Sequence, residues 1–241
     1  MRQKFDNKSQ AVFTEGDVNF SSQRKEWSKT HIDPKTKKLL EDDAQFFLHQ
    51  SLSSPCLNVI NKSEGIYIED TQGRKIMDFH GNSVHQVGHG HPRVVNAIKD
   101  QLDQLPFCPR RYTNQTAIDL ASKLAELAPG NLNKMLFAPG GTNAIGMALK
   151  LARYATGRHK TISMWDSFHG ASLDAISIGG ESLFRKDVGP LMPGSEHIPP
   201  PRRGKCHFNC PDENHDGCIE YLKYVVEMEG DIGALIAEPM R

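Results

Sequence analysis

In residues 65–81, the spacing of hydrophobic residues indicates a pair of short strands. In the segment GIYIEDTQGRKIMDFHG, residues 65–81, Ile66 and Ile68 alternate with polar neighbours, as on a strand with one buried face. Gln72 and Gly73 supply a tight turn between the strands. The return strand carries the next apolar residues, Ile76, Met77 and Phe79. The pattern predicts a β-hairpin over this segment.

From residue 92 the spacing becomes helical. A helix is predicted to begin at Pro92, because proline is favoured at the first helical position and the next apolar residues, Val95, Ile98 and Leu102, share one face. The segment QTAIDLASKLAELAPG repeats this spacing and ends at a Pro-Gly pair. Two amphipathic helices are therefore expected in the middle of the chain.

The C-terminal half alternates short apolar strands with amphipathic helices. Strands are predicted at 135–138, 161–165 and 234–239, and helices at 144–156 and 219–228. The stretch between the second strand and the second helix is mixed. This alternation is typical of an α/β fold whose sheet is mostly parallel.

The N-terminal region is different. Residues 1–38 are polar, with scattered Lys and Arg and few side chains that could form a core. This part is predicted to be either a mobile tail or an arm that packs on a partner subunit. A short helix is expected to follow in LLEDDAQFFLHQ, residues 39–50.

Composition excludes several functions. The 241 residues are 38% hydrophobic and 24% charged, and the formal net charge is zero, so no global field favours nucleic acid or an anionic membrane. No apolar run approaches the roughly 20 residues needed to cross a bilayer, and no signal peptide is evident. Five cysteines without an export signal favour reduced thiols and a cytoplasmic protein.

A glycine loop lies between the strand at 135–138 and the helix that follows it. Gly140 and Gly141 allow the backbone to turn sharply, and Thr142 can add a hydroxyl donor or cap the helix. Free N–H groups at a helix start favour a phosphate. The alternative is a plain strand-to-helix turn, and the loop matches neither the Walker nor the dinucleotide-binding glycine pattern.

Five short motifs occur in order along the chain: GIYIEDTQGRKIMD, GHGHP, GGTNA, FHG and IAEP. Each is weak alone. In this order and register they resemble the signatures of the class III aminotransferases, which are pyridoxal 5′-phosphate (PLP) enzymes of fold type I. The resemblance runs from about residue 50 to the last residue.

The resemblance implies that the glycine loop holds the 5′-phosphate of PLP. It implies that Phe168 stacks on the pyridine ring, that Gly170 leaves room beneath it, and that Glu238 lines the cofactor pocket. Two positions depart from the family pattern: Gly140 replaces a serine and Asn143 replaces a glutamate. These changes remove one hydroxyl donor and one charge, but the backbone contacts to the phosphate would remain.

In the family, the Schiff-base lysine and the aspartate paired with the pyridinium nitrogen lie well beyond the Glu-Pro strand. The chain is therefore expected to be the N-terminal portion of a family member, inactive alone. The expected parts are a polar arm with a short helix at 1–50, the N-terminal part of the small domain at 51–105, and an incomplete PLP-binding large domain at 106–241.

Three stretches, MDFHGNSVHQVGHGHPRV, LPFCPRRYTNQ and SIGGESLFR, resemble the branch of the family that releases ammonia from 2-amino-1-hydroxyethylphosphonate. Arg110 and Arg111 suit a phosphonate dianion because paired guanidinium groups form bidentate bonds. The alternative is a solvated basic pair. Asn82 is a further candidate for substrate binding by its position.

The implied reaction removes a proton from the amine-bearing carbon, expels the neighbouring hydroxyl, and yields ammonia and phosphonoacetaldehyde. A class III transaminase of an amino acid or ω-amine shares the first steps and remains an alternative. An inactive phosphate- or PLP-binding fragment is another. The family builds its site between two subunits, so the complete protein is expected to be a homodimer, with no nucleic acid or membrane partner.

The segment KCHFNCPDENHDGC contains enough ligand types for a tetrahedral zinc: Cys206, His207, Cys210, His215 and Cys218. Its C-x3-C-x7-C spacing does not match a standard zinc knuckle. The sequence therefore favours an ordinary loop with reduced thiols and no metal.

Overall fold

The computed structural model describes residues 21–48, 55–81, 86–201, 206–211, 214 and 216–239. The chain divides into two compact units, Met1–Asn114 and Gln115–Arg241. Within the described residues, none of the helices is both long and apolar enough to span a bilayer.

Among its described residues, the N-terminal unit contains three helices and a small antiparallel sheet. The helices are α1 (Ser22–His31), α2 (Pro34–Phe46) and α3 (Pro92–Gln104), and the strands are β1 (Ile60–Glu64), β2 (Tyr67–Asp70) and β3 (Lys75–Met77). Helix α2 starts earlier than predicted because the Asp33 side chain accepts the Thr36 N–H at 2.7 Å and Pro34 occupies the first turn. The described part of the polar arm is therefore helical.

The predicted hairpin is confirmed, with Ile68 opposite Ile76 and Tyr67 opposite Met77. Two details differ from the prediction. Phe79 lies beyond β3 and its side chain is 91% exposed. A third strand, β1, pairs with β2. Its sequence INKSE is exposed throughout and has no apolar alternation, so periodicity could not reveal it.

The first family motif owes part of its pattern to a buried carboxylate. Asp70 is 1% exposed and accepts bonds from Arg74 Nε at 2.7 Å and Asn58 Nδ2 at 3.1 Å. It also accepts the N–H groups of Gln72 and Arg74, both at 2.9 Å. Burial opposes ionisation, but these bonds, led by the Arg74 N–H, outweigh it and lower the pKa of Asp70 to about 2. Asp70 and Arg74 thus close the hairpin turn.

The first motif also contacts the GHGHP turn. Gly65 and His89 exchange two backbone hydrogen bonds, of 2.9 and 2.7 Å. Asp78 Oδ2 lies 2.9 Å from His89 Nε2. The N–H groups of Gly81 and His80, together with His89, lower the pKa of Asp78 to about 2. These contacts give both motifs a structural role within this unit.

The C-terminal unit contains five helices and a parallel sheet among its described residues. The helices are α4 (Gln115–Leu127), α5 (Gly141–Thr156), α6 (Leu173–Ile178), α7 (Ser182–Arg185) and α8 (Asp216–Glu229). The strands are β4 (Lys160–Met164), β5 (Ser195–Ile198) and β6 (Ile232–Leu235), in the order β5-β4-β6 with both pairs parallel. The predicted α/β fold with a parallel sheet is confirmed.

The core of this unit surrounds the central strand β4. Ile162 on β4 and Ile178 on α6 are fully buried, and Ile198 on β5 is 4% exposed. Helix α5 contributes Leu149, which is also buried. Burial of this apolar layer fixes the ends of the parallel strands, where the site residues lie.

Some predicted boundaries were wrong. Residues 135–138 do not form a strand, because none of the described strands hydrogen-bonds to them and a strand exists only through such pairing. Helix α5 begins at Gly141 rather than at residue 144. Strand β6 ends at Leu235, so the Glu-Pro pair follows the strand.

Candidate functional site

The candidate site lies where the parallel strands β4 and β6 end. The carboxyl ends of neighbouring parallel strands meet at one edge of a sheet, where α/β proteins bind ligands. Here the loop after β4 carries Phe168, and the segment after β6 carries Glu238. Glu238 Oε1 accepts the Phe168 N–H at 2.9 Å, although the two residues are 70 positions apart. The structure thus joins two of the predicted site residues directly.

The same loop also contacts the glycine loop. Gly170 is buried at φ +132°, and a Cβ atom built on it would lie 3.0 Å from Thr142 Cα and closer to Thr142 Oγ1. Only glycine combines this backbone conformation with so close an approach. Gly170 therefore packs against Thr142, and its role beneath the cofactor ring stays a prediction.

The first backbone N–H groups of helix α5 have no acceptor among the described residues. Gly140 is an extended N-cap without a side-chain cap bond, so Thr142 does not cap the helix as the sequence allowed. Within the described residues, no acceptor takes the N–H groups of Gly141, Thr142 or Asn143, and the first turn carries no acidic residue. Three donors and the positive end of the helix dipole can therefore face an anion.

Gly141 does not need a special backbone conformation. Its φ lies outside the positive range, and nothing lies within 4 Å of a Cβ atom built on it. A role for this glycine through positive φ is therefore excluded, and its contribution would come from its N–H group.

A second aromatic ring supports Phe168. The Phe184 ring lies 4.7 Å from the Phe168 ring, centroid to centroid, at an interplanar angle of 45°. Phe168 remains 46% exposed beside it. The sequence analysis did not identify Phe184 as a site residue, although it lies in the quoted stretch SIGGESLFR.

Arg185 holds Phe184 in position. Its guanidinium donates to the carbonyl of Ser177 at 2.9 Å and to the carbonyl of Gly179, at the end of α6. It also lies 3.1 Å from His197 Nε2. Burial lowers the pKa of Arg185, and burial and then the Arg185 charge lower the pKa of His197. A cation that satisfies the last carbonyls of a helix stabilises that helix end.

Ser167 fixes the other side of the loop. Its hydroxyl donates to the Met164 carbonyl at 2.7 Å and accepts the Gly180 N–H at 3.1 Å. The Gly180 N–H also lies 2.9 Å from the Ser167 carbonyl oxygen. These bonds connect the end of β4 to the segment after α6. Phe168 is therefore held by the bonds of Ser167 and by its contact with Phe184.

The predicted substrate residues belong to the N-terminal unit. Arg110 and Arg111 are exposed in the turn after α3, and neither forms an ion pair within the described part of the chain. Arg110 Nη1 donates to the Tyr112 carbonyl at 3.4 Å. Asn82 lies outside the described residues.

The C-terminal unit therefore joins three motifs that are distant in sequence. Thr142 contacts Gly170, and Phe168 contacts Glu238, so GGTNA, FHG and IAEP meet at one edge of the sheet. The arrangement offers N–H donors for an anion, an aromatic face for a planar ring, and a carboxylate.

Comparison with known proteins agrees with this arrangement. The family described as aminotransferase class-III matches residues 49–241. The (R)-1-hydroxy-2-aminoethylphosphonate ammonia-lyase of Vibrio splendidus is 51% identical over 95% of this chain and 51% of that protein. An acetylornithine aminotransferase of Methanopyrus kandleri is 39% identical over 56% of this chain and 35% of that protein.

Solved structures show the same fold. An amine transaminase from an uncultivated Pseudomonas species, solved in its PLP-bound form, aligns with a TM-score of 0.70 and 28% identity over 80% of this chain and 48% of that one. The chain thus spans about half the length of the ammonia-lyase and of this transaminase. The family match covers most of the chain, and it includes every motif assembled at the sheet edge. This chain belongs to the class III aminotransferase family.

Proposed function

We propose that the protein to which this chain belongs is a PLP-dependent ammonia-lyase that converts 2-amino-1-hydroxyethylphosphonate into phosphonoacetaldehyde and ammonia. The observation that carries this proposal is the 51% identity to the Vibrio splendidus ammonia-lyase, which extends over 95% of the chain. The geometry of the C-terminal unit supports the cofactor, since its residues suit a planar ring that bears a phosphate.

The first turn of α5 fits the PLP phosphate. Its exposed backbone donors lack acceptors among the described residues, and no carboxylate in that turn repels an anion. Gly140, Gly141 and Thr142 would hold the phosphate, mainly through backbone N–H groups and with one hydroxyl donor. The departures from the family pattern at Gly140 and Asn143 leave these donors intact.

The loop after β4 fits the cofactor ring. Phe168 would contact one face of the ring, supported from behind by Phe184, and Gly170 would keep the loop against Thr142. The Glu238 carboxylate would hold Phe168 in place by accepting the Phe168 N–H, and it would also line the pocket. When bound, PLP draws electron density from the amine-bearing carbon of the substrate, so that its proton can leave. We do not propose any lysine of this chain as the Schiff-base lysine.

Arg110 and Arg111 are proposed to bind the phosphonate group, with Asn82 as a further substrate contact. Both guanidinium groups are exposed and have no ion-pair partner within the described residues, so they remain available to an external dianion. A guanidinium pair binds a phosphonate through charge-assisted, bidentate hydrogen bonds.

The proposed reaction is tested with the full-length protein, PLP and 2-amino-1-hydroxyethylphosphonate, without a keto acid. We expect equimolar ammonia and phosphonoacetaldehyde. The matched control substrate is 2-aminoethylphosphonate, which has no hydroxyl to expel and should yield no ammonia. A requirement for pyruvate or 2-oxoglutarate, with transfer of nitrogen to the keto acid, would instead show a transaminase, the alternative favoured by the amine transaminase structure.

We also propose that the full-length protein is a homodimer, with residues 107–116 near its two-fold axis. Phe107 and Tyr112 in this segment are 75% and 70% exposed, and a partner subunit would cover these two aromatic side chains. Sedimentation velocity should give the mass of a dimer. A monomer that still binds PLP would contradict this proposal.

A further inference from the structure

Three cysteine thiols, none of them assigned to the cofactor, meet at the start of helix α8. The Sγ atoms of Cys206, Cys210 and Cys218 all lie within 4.8 Å of one another, and Cys206 Sγ is 3.5 Å from Cys218 Sγ. Cys218 is buried and the other two are partly buried. The sequence spacing predicted an ordinary loop, so this convergence is a result of the tertiary structure.

The loop is shaped around the first thiol. The Phe208 N–H donates to Cys206 Sγ at 3.4 Å, and the Asn209 N–H donates to the Cys206 carbonyl at 3.1 Å. N–H groups that point at sulfur stabilise a thiolate. The Phe208 N–H therefore favours the thiolate that a cation would bind at Cys206, and Cys218 lies buried beside it.

The loop approaches Cys218 closely because Gly217 lies in the first turn of α8. A Cβ atom built on Gly217 would lie 2.8 Å from Phe208 Cβ and 3.0 Å from Cys210 Sγ. The Phe208 ring also lies 5.3 Å from the Tyr221 ring of α8, centroid to centroid, which holds the loop on the helix. A side chain at position 217 would separate the loop from Cys218.

We propose that Cys206, Cys210 and Cys218 bind a thiophilic divalent cation, Zn²⁺ in the cell, as a structural site. Zinc–sulfur bonds of about 2.3 Å in a tetrahedron place sulfur atoms about 3.8 Å apart. The sulfur atoms of Cys206 and Cys218 lie 3.5 Å apart, and every pair in the cluster lies within 4.8 Å, so small shifts would bring all three around one ion. Binding releases the thiol protons to solvent, and the fourth corner of the tetrahedron is left for water or another side chain. The site fastens the loop after residue 205 to the start of α8.

The test uses the full-length protein purified without chelator, with zinc measured by mass spectrometry. We expect about one zinc per chain. Cys210→Ser should lower the zinc content at least fivefold, Cys210→His should retain most of it, and Cys56→Ser, which changes a thiol outside the cluster, should leave it unchanged. Titration of the zinc-free protein with Co²⁺ should give the near-ultraviolet sulfur-to-cobalt band of a thiolate site in the wild type and in Cys56→Ser.

Three results would overturn the proposal. One is a wild-type protein that holds neither zinc nor cobalt. Another is a Cys210→Ser variant, folded by circular dichroism, that keeps the full zinc content. The third is intact-mass evidence that Cys206 and Cys218 form a disulfide in the freshly purified protein, since that bond would remove two of the three ligands.

Discussion

Gly170→Ala should weaken PLP binding more than any other single-methyl addition in the proposed cofactor site. The new Cβ atom would lie 3.0 Å from Thr142 Cα and Cβ, and closer still to Thr142 Oγ1. Alanine also resists the φ of +132° that residue 170 adopts. The loop can relieve both problems only by moving away from α5, and that movement displaces Phe168.

The size of the effect follows from two separate costs. A non-glycine residue held at an unfavourable positive φ costs about 1–3 kcal/mol. Overpacking against a backbone atom that cannot move freely costs about 1–3 kcal/mol more. PLP binding must restore the strained arrangement, so at least about 2 kcal/mol of binding free energy is lost. This corresponds to a roughly 30-fold increase in Kd.

Gly141→Ala is the matched control. It adds the same methyl group within the proposed phosphate site, at a position where nothing lies within 4 Å and φ is not positive. The backbone N–H that faces the phosphate remains. Both variants are made in the full-length protein, stripped of cofactor, and titrated with PLP while the absorbance and the quenching of protein fluorescence are followed. Circular dichroism verifies that both are folded.

Gly141→Ala should bind PLP within about threefold of wild type, whereas Gly170→Ala should show the large loss. If a folded Gly170→Ala protein binds PLP as tightly as wild type, the contact between Gly170 and Thr142 does not position the cofactor. Equal losses in both variants would show that neither the close approach nor the backbone conformation explains the effect.

Three further outcomes are expected. Thr142→Ala should raise the Kd for PLP about tenfold, since a hydrogen bond to the charged phosphate is worth about 1.5 kcal/mol. Thr142→Ser should restore binding, and an unchanged Kd in the alanine variant would leave the phosphate to the backbone alone. Arg110→Ala and Arg111→Ala should each raise the KM for the phosphonate about tenfold or more, because a charge-assisted bond contributes about 1.5–3 kcal/mol. The control Arg93→Ala, which removes an exposed arginine of α3, should leave the KM unchanged. Unchanged kinetics in both test variants would make Arg110 and Arg111 a solvated surface pair. Asp70→Asn should lower the Tm by several degrees at pH 7. The pKa of Asp70 in the folded state is depressed to about 2. The stabilisation by ionised Asp70 is therefore complete above the unfolded-state pKa of 3.8 and is lost as the pH falls towards 2. In thermal melts, the Tm difference between variant and wild type should narrow as the pH falls from 3.8 towards 2.

The amino-acid sequence alone predicted those parts of the fold that depend on local periodicity. The hairpin around Gln72 and Gly73 and the helices α3 and α4 follow from apolar spacing and turn residues, because hydrogen bonds between near neighbours and one buried face define them. The order of motifs was sufficient to recognise the family, and the type of sheet followed from alternating strands and helices.

Local patterns failed where an element depends on a partner elsewhere in the chain. Strand β1 was missed because its residues are polar on both faces and only its pairing with β2 makes it a strand. The apolar segment 135–138 was predicted as a strand but pairs with none of the described strands. Pairing is a contact between distant segments, and hydropathy along one segment does not contain it.

The candidate site shows the same division. Gly140, Thr142, Phe168 and Glu238 could be named from the sequence by motif, yet only the folded chain brings Glu238 to the Phe168 N–H and Gly170 against Thr142. The supporting roles of Phe184 and Arg185 and the convergence of the three thiols were not specified by any motif. The positions of these side chains follow from the parallel register of β4 with β6 and from close contacts that glycines permit. Both depend on long-range packing, which no local stretch of sequence specifies.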